Sequence, residues 1–197
     1  MLNMTGTGRR TGLLLGVWTA AVVVIGGVLM SYHQPFVTPD ARILSLGSTS
    51  QRGRWRALHI VSGSCVCSRR VMEHLLQRRP QAGLVEEILM IEGSEIPLAG
   101  TASLLNKLEA AGYTVSRLAA EAIPESSGLH GVPVLIYATP ENKLAYLGGY
   151  GKAGDQDVAI YRQVRRGDAA EPLPVLGCAV GNRVRGRADP VGWKYRR

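Results

Sequence analysis

Ser62-Gly63-Ser64-Cys65-Val66-Cys67-Ser68-Arg69-Arg70 lies between an apolar run and an amphipathic one, and its reading decides the fold. Upstream, Trp55-Arg56-Ala57-Leu58-His59-Ile60-Val61 reads as a short buried strand, 55–61. Downstream, Val71, Met72, Leu75 and Leu76 recur at helical spacing on one face, predicting a helix over 68–79 that Pro80 stops. A strand that turns through small residues into a helix start places Cys65 and Cys67 where unpaired backbone N–H groups favour an anion. Arg69 and Arg70 follow at once, and both effects stabilise thiolate over thiol. The stretch is therefore a setting for thiol chemistry or for soft-metal binding.

Outward from it, strands and helices alternate. Val85 to Ile91 predicts a buried strand; 101–111, with Leu104, Leu105 and Leu108 on one face and Gly112 after it, predicts a helix. Tyr113 to Leu118 reads as a short strand. Val134-Leu135-Ile136-Tyr137-Ala138 then turns at 139–142 into Lys143-Leu144-Ala145-Tyr146-Leu147, a hairpin. Gly148-Gly149 breaks that strand, and 155–166 makes a last helix. This order predicts an α/β domain over 54–167 with a mixed central sheet flanked by helices.

The strand, the cysteine turn, the helix and the later Gly131-Val132-Pro133-Val134-Leu135-Ile136-Tyr137 together resemble the thioredoxin superfamily over roughly 55–166. The resemblance implies a cis proline at Pro133 facing the redox cysteines, with Val132 presenting backbone to a bound thiol substrate. It places Cys65 at the nucleophilic position and Ser68 where a second cysteine belongs, so Cys67 stands one residue early. A Cys-x-Cys bridge spans a Cα separation that a disulfide allows. Its small ring carries strain, which makes the bond more oxidising. More narrowly, the apolar N-terminus, Cys-x-Cys-Ser, Gly148-Gly149-Tyr150, Gly177-Cys178-Ala179-Val180 and Asp189-Pro190-Val191-Gly192-Trp193-Lys194-Tyr195 are similar to bacterial membrane proteins labelled RedB.

His59 lies six residues before Cys65, where thioredoxins place a buried carboxylate. It stands as a proton-transfer group, as a soft-metal ligand, or as a strand histidine bonded to its neighbours. His130, three residues before Pro133, stands as a second ligand or as a surface histidine. His33 and His74 carry no signal. Cys178 is either a small buried hydrophobe or a resolving thiol folded back onto the site.

From Gly12 to Met30 no residue is charged, a run just long enough to cross a bilayer as a helix. Arg9 and Arg10 precede it, and the next charges are Asp40 and Arg42. The positive-inside rule then leaves 1–11 in the cytoplasm, 12–30 as a signal anchor, and the rest on the periplasmic side of a bacterial inner membrane. Val28-Leu29-Met30-Ser31-Tyr32 offers no small-x-small cleavage site, which favours the anchor over a removed leader. Gly12 also makes a poor match to a twin-arginine signal. Residues 31–53, with Pro35, Pro39, Gly47 and Ser48-Thr49-Ser50, read as a tether holding one short strand at 42–46. The formal net charge is +8, and 168–197 reads as a basic extension. Beside a membrane that charge suits anionic headgroups, not nucleic acid. Phosphate-binding glycine loops, paired Cys-x-x-Cys zinc motifs and serine-hydrolase elbows are absent from the sequence.

The leading expectation is a membrane-tethered thiol–disulfide oxidoreductase without a cofactor, acting on protein thiols or disulfides. Cys65 is the nucleophile, Cys67 or Cys178 resolves, His59 moves the proton, and Val132, Pro133, Ser68, Arg69 and Arg70 shape the substrate groove and hold the thiolate. Two other readings stay open. One is a copper-delivery factor using Cys65 and Cys67 with His59 or His130; the other is a non-catalytic interaction module.

Overall fold

The computed structural model describes residues 5–31, 41–47, 53–151 and 153–180, with side chains in the first segment at Gly12 and 14–26. The chain divides into two units, Met1–Pro35 and Phe36–Arg197. The first is one helix, α1 (Thr5–Ser31), on which Leu14, Val17, Trp18, Val23 and Ile25 are exposed. Among the described residues no helix is long and apolar enough to cross a membrane. The anchor expected over 12–30 is thus not shown by this helix.

In the second unit, β1 (Trp55–Ser62), α2 (Val66–Arg78), β2 (Leu84–Glu92), α3 (Thr101–Ala110) and β3 (Thr114–Ala119) form successive crossovers. They are followed by β4 (Gly131–Val132), β5 (Val134–Ala138), β6 (Leu144–Gly148), α4 (Asp157–Arg165) and β7 (Cys178–Ala179). The main sheet runs β3-β2-β1-β5-β6. β1, β2 and β3 are parallel, and β5 is antiparallel to both β1 and β6. Helical crossovers make the first half parallel and a tight turn makes the second half antiparallel, which is why the sheet is mixed.

Strand alternation sorts the core into two layers. Ala57 and Val61 of β1, Ile88 and Met90 of β2, and Leu135 and Tyr137 of β5 pack with Val71, Met72 and Leu75 of α2 and with apolar residues of α3 and α4. Leu58, Ile60, Leu89, Ile91, Val134 and Ile136 point the other way, against Ile43, Leu44, Leu129, Val132 and Val180. The three α-helices of this unit all contribute to the first layer; the second is closed by short helical turns, loops and returning chain.

Three local features differ from the sequence reading. α2 begins at Val66, two residues before the expected start, because Cys65 keeps an extended backbone (φ −96°, ψ 120°) at the N-cap. The strand expected at 42–46 is a 3-10 helix, Ala41–Leu46, whose Ile43 and Leu44 are buried in the second layer. Chain read as tether is therefore part of the core at that point. Beyond α4 the chain doubles back: the Leu173 carbonyl accepts from Gly149 N–H at 2.7 Å, and β7 pairs with β4. The basic residues after Val180, and the Asp189–Tyr195 segment, lie outside the described residues.

Candidate functional site

Cys65 is fully buried at the junction of β1 and α2. Its amide donates to the Ser62 carbonyl at 3.3 Å, closing the turn, and its carbonyl accepts from Arg69 N–H at 3.0 Å, starting the helix. The sulfur thus sits at the helix mouth, 3.8 Å from the Val132 carbonyl oxygen. Burial pushes the Cys65 thiol up. Hydrogen bonds from the Cys178 thiol, from the amide and hydroxyl of Ser68 and from the Cys67 amide outweigh it and leave the thiol below its ordinary range. Each donor favours the anion, as stabilisation of a buried thiolate requires.

The Val132–Pro133 peptide bond is cis, the geometry the resemblance implied at this position. It ends β4, and β7 lies antiparallel beside it with Gly131 opposite Ala179 and Val132 opposite Cys178. Val180 N–H donates to the His130 carbonyl at 3.0 Å and continues the ladder. Gly177 makes the approach feasible: a Cβ there would lie 1.7 Å from the Val132 carbonyl oxygen. This register brings Cys178 onto Cys65. Burial and the hydrogen bond to Cys65 push the Cys178 thiol up to about 12, so it is the partner that keeps its proton. Cys65 and Cys178, 113 positions apart in sequence, come to the same core layer, against which Cys67 also packs.

Cys67 is only half-buried and lines a separate cleft with Arg70, Val71, Pro133, Tyr150 and Leu176. Its amide reaches the Cys65 sulfur, but two residues apart on a helix do not share a face. Ser68, expected to contact substrate, is fully buried, and its hydroxyl accepts from Ser62 N–H at 3.1 Å. Arg69, expected to hold the thiolate, donates to Glu73 at 3.0 Å and to the Ala99 carbonyl at 2.7 Å. Cys178 and the donors two and three residues after Cys65, not the arginines, carry its stabilisation.

His59 lies on the helix-facing side of β1, fully buried. Its Nε2 is 2.9 Å from Glu86 Oε2 and its Nδ1 is 2.6 Å from the Tyr150 hydroxyl. Glu86 also takes two contacts from Arg78 and one from Gln81 N–H at 2.6 Å. Burial pushes the Glu86 carboxyl up, but the bonds from His59 and Arg78 dominate and bring it down to about 2. An ionised carboxylate only accepts, so Nε2 carries the hydrogen and donates to Glu86. Burial drives the Tyr150 phenol well above its ordinary range; it stays protonated and donates to Nδ1. Arg78 extends the network to Asp157 at 2.6 Å, and His74 reaches the same carboxylate at 2.9 Å.

The sequence reading missed Glu86, Arg78, Asp157, His74 and Tyr150 as one buried ionic group. A signal existed for Glu86: it shares parity with Leu84, Ile88 and Met90, hence the core face. Both ring nitrogens of His59 are engaged there, so the structure brings it to the sulfurs only through Tyr150, which lines the Cys67 cleft. The His130 backbone joins the β7 ladder. Among the described residues no group of three or more His, Cys, Asp or Glu side chains could hold a metal ion.

No protein-family model matches the chain, and comparison with curated proteins gives no match. Among solved structures, a hypothetical protein from Sinorhizobium meliloti is similar with a TM-score of 0.50 and 17% identity, over 74% of this chain and 89% of that one. An uncharacterized conserved protein from Geobacillus kaustophilus gives 0.48 at 12% identity, over 66% and 78%. A secreted Mycobacterium tuberculosis disulfide oxidoreductase homologous to E. coli DsbE gives 0.44 at 12% identity, over 65% and 99%. At these identities the likeness is one of fold. The domain has a thioredoxin-like α/β fold: a mixed five-stranded sheet with flanking helices, and a cysteine turn facing a cis proline.

Proposed function

We propose that the domain is a thiol–disulfide oxidoreductase whose nucleophile is Cys65. The observation that carries this reading is the set of hydrogen-bond donors around the Cys65 sulfur, which hold its thiol below the ordinary range at the mouth of α2 and beside the Val132 carbonyl. A thiolate so placed attacks one sulfur of a protein disulfide, forming a mixed disulfide and releasing the other substrate sulfur as thiolate. A second thiol of the enzyme then attacks Cys65 and releases the remaining substrate thiolate. The substrate gains two electrons and, from the two enzyme thiols by way of solvent, two protons. In this reading His59 is a positioning residue that fixes Tyr150 at the wall of the cleft beside Cys67 and Pro133.

The apolar run at 12–30, flanked by Arg9 and Arg10, supports tethering to a bacterial inner membrane with the domain on the extracytoplasmic side. The cysteine turn and Gly177-Cys178-Ala179-Val180 support a RedB-like protein more narrowly. The test is direct. With a fluorescent glutathione-type disulfide as reporter, Cys65→Ser is expected to lower exchange on the order of a thousandfold or more; unchanged exchange rejects the assignment.

A further inference from the structure

Resting on Cys65 as nucleophile, we propose that Cys178 is the resolving cysteine and that the oxidised enzyme carries a Cys65–Cys178 bond instead of a Cys65–Cys67 bond. Three geometric observations converge on it. First, β7 is zipped to β4 in a register that sets Cys178 directly opposite Val132, and the Val132 carbonyl is itself 3.8 Å from the Cys65 sulfur. Second, Cys65 is buried in the second core layer and Cys178 packs against that same layer, close enough that each thiol shifts the other's acidity. Third, Gly177 admits the strand at a separation that any other residue would prevent.

Cys67 fails the same requirements. Cys65 is the N-cap and Cys67 the second residue of α2, and side chains two apart on a helix point to different sides. The Cys67 thiol lines the cleft formed with Arg70, Tyr150 and Leu176. A disulfide needs Cβ atoms about 3.5–4.5 Å apart and facing each other, and the β4–β7 register favours Cys178 over Cys67 for that pairing.

The step balances within the exchange described above. In the mixed disulfide, Cys65 is joined to a substrate sulfur, and its negative charge has left with the first substrate thiolate. Cys178 gives its proton to solvent and attacks the Cys65 sulfur; the Cys65–Cys178 bond forms as the Cys65–substrate bond breaks, and the substrate leaves as thiolate. The two cysteines are oxidised and the substrate disulfide is reduced. Return to the dithiol form requires a reducing dithiol protein.

The experiment uses the full-length chain, reacted once with a disulfide-bonded peptide and quenched with acid. Wild-type protein is expected to yield a fragment pair linked between Cys65 and Cys178. Cys178→Ser is expected to stall as a Cys65–peptide mixed disulfide that resolves at least about a hundredfold more slowly. Gly177→Ala keeps all three thiols but displaces β7, and is expected to stall in the same way. If the linked pair is Cys65–Cys67, or if Cys178→Ser releases peptide at the wild-type rate, Cys178 is not the resolving residue. If Cys65→Ser reacts with the peptide as fast as wild type, it is the nucleophile assignment that fails.

Discussion

The two ends of α2 are both charged, and they are built in opposite ways. At the N-terminal end a sulfur atom carries a charge that exists in one protonation and redox state only, held by neutral donors: two backbone amides, a serine hydroxyl and a thiol. At the C-terminal end Arg78 carries a permanent charge, gripped by Glu86 and Asp157 with His59 and His74 beyond them. Each sign suits its end of the helix dipole. The difference separates two tasks. Fixed ions that are mutually satisfied hold the helix against β1 and β2, and a site that must gain and lose charge is left free of counter-ions that would bind it permanently.

That contrast can be broken most forcefully at Arg78. Arg78→Met strands two buried carboxylates, and the expected loss of folding stability is about 3–5 kcal/mol, read by urea unfolding. The pH midpoint for alkylation of Cys65 is expected to stay within about half a unit of wild type. A larger movement would mean that the two ends are electrostatically one system.

The next effect concerns acid. The Glu86 carboxyl is held at about 2 in the folded chain against an ordinary value of 4.5. A group whose folded value is depressed gives its full stabilisation above the unfolded value and loses it as pH falls toward the folded one. Between about pH 5 and pH 2 this group alone is expected to remove on the order of 3 kcal/mol. Unfolding curves over that range should be steeper for wild type than for Glu86→Gln, which starts less stable but has no such charge to lose. Equal slopes would show that Glu86 is not the acid-sensitive member.

The smallest effect sharpens the other end. Ser68→Ala removes one donor to the Cys65 sulfur, and the midpoint of Cys65 alkylation is expected to rise by about one pH unit. The rate is followed by mass spectrometry on the Cys65 fragment; stability is expected to fall by about 1 kcal/mol, because the Ser62 N–H loses its acceptor. No rise would return the stabilisation to the remaining donors.

Much of the sheet was legible because its signals are local. The apolar runs at 55–61 and 134–138, and the apolar spacing of Val71, Met72 and Leu75, each predict an element from its own residues. The cysteine turn and Gly131-Val132-Pro133 were legible because they are contiguous. The ionic network was not, since it joins β1, α2, β2 and α4, and His74 and Asp157 are ordinary surface residues until the fold buries one of them. Ser68 was read as part of the groove because it falls where the resemblance puts a second cysteine; its burial depends on Cys65 being the N-cap of α2. Cys178 could be named but not placed, because its position depends on a two-residue ladder formed after the whole domain has assembled.

The central strand has a consequence for synthesis. One side of β1 is satisfied early, by β2, while the other waits for β5, roughly 75 residues further along the chain. Until those residues leave the ribosome, the backbone edge from Arg56 to Ile60, carrying Leu58 and Ile60, is an open template for any extended chain nearby. A nascent polypeptide stopped before Val134 thus keeps that edge open, and the arrival of one five-residue strand closes it.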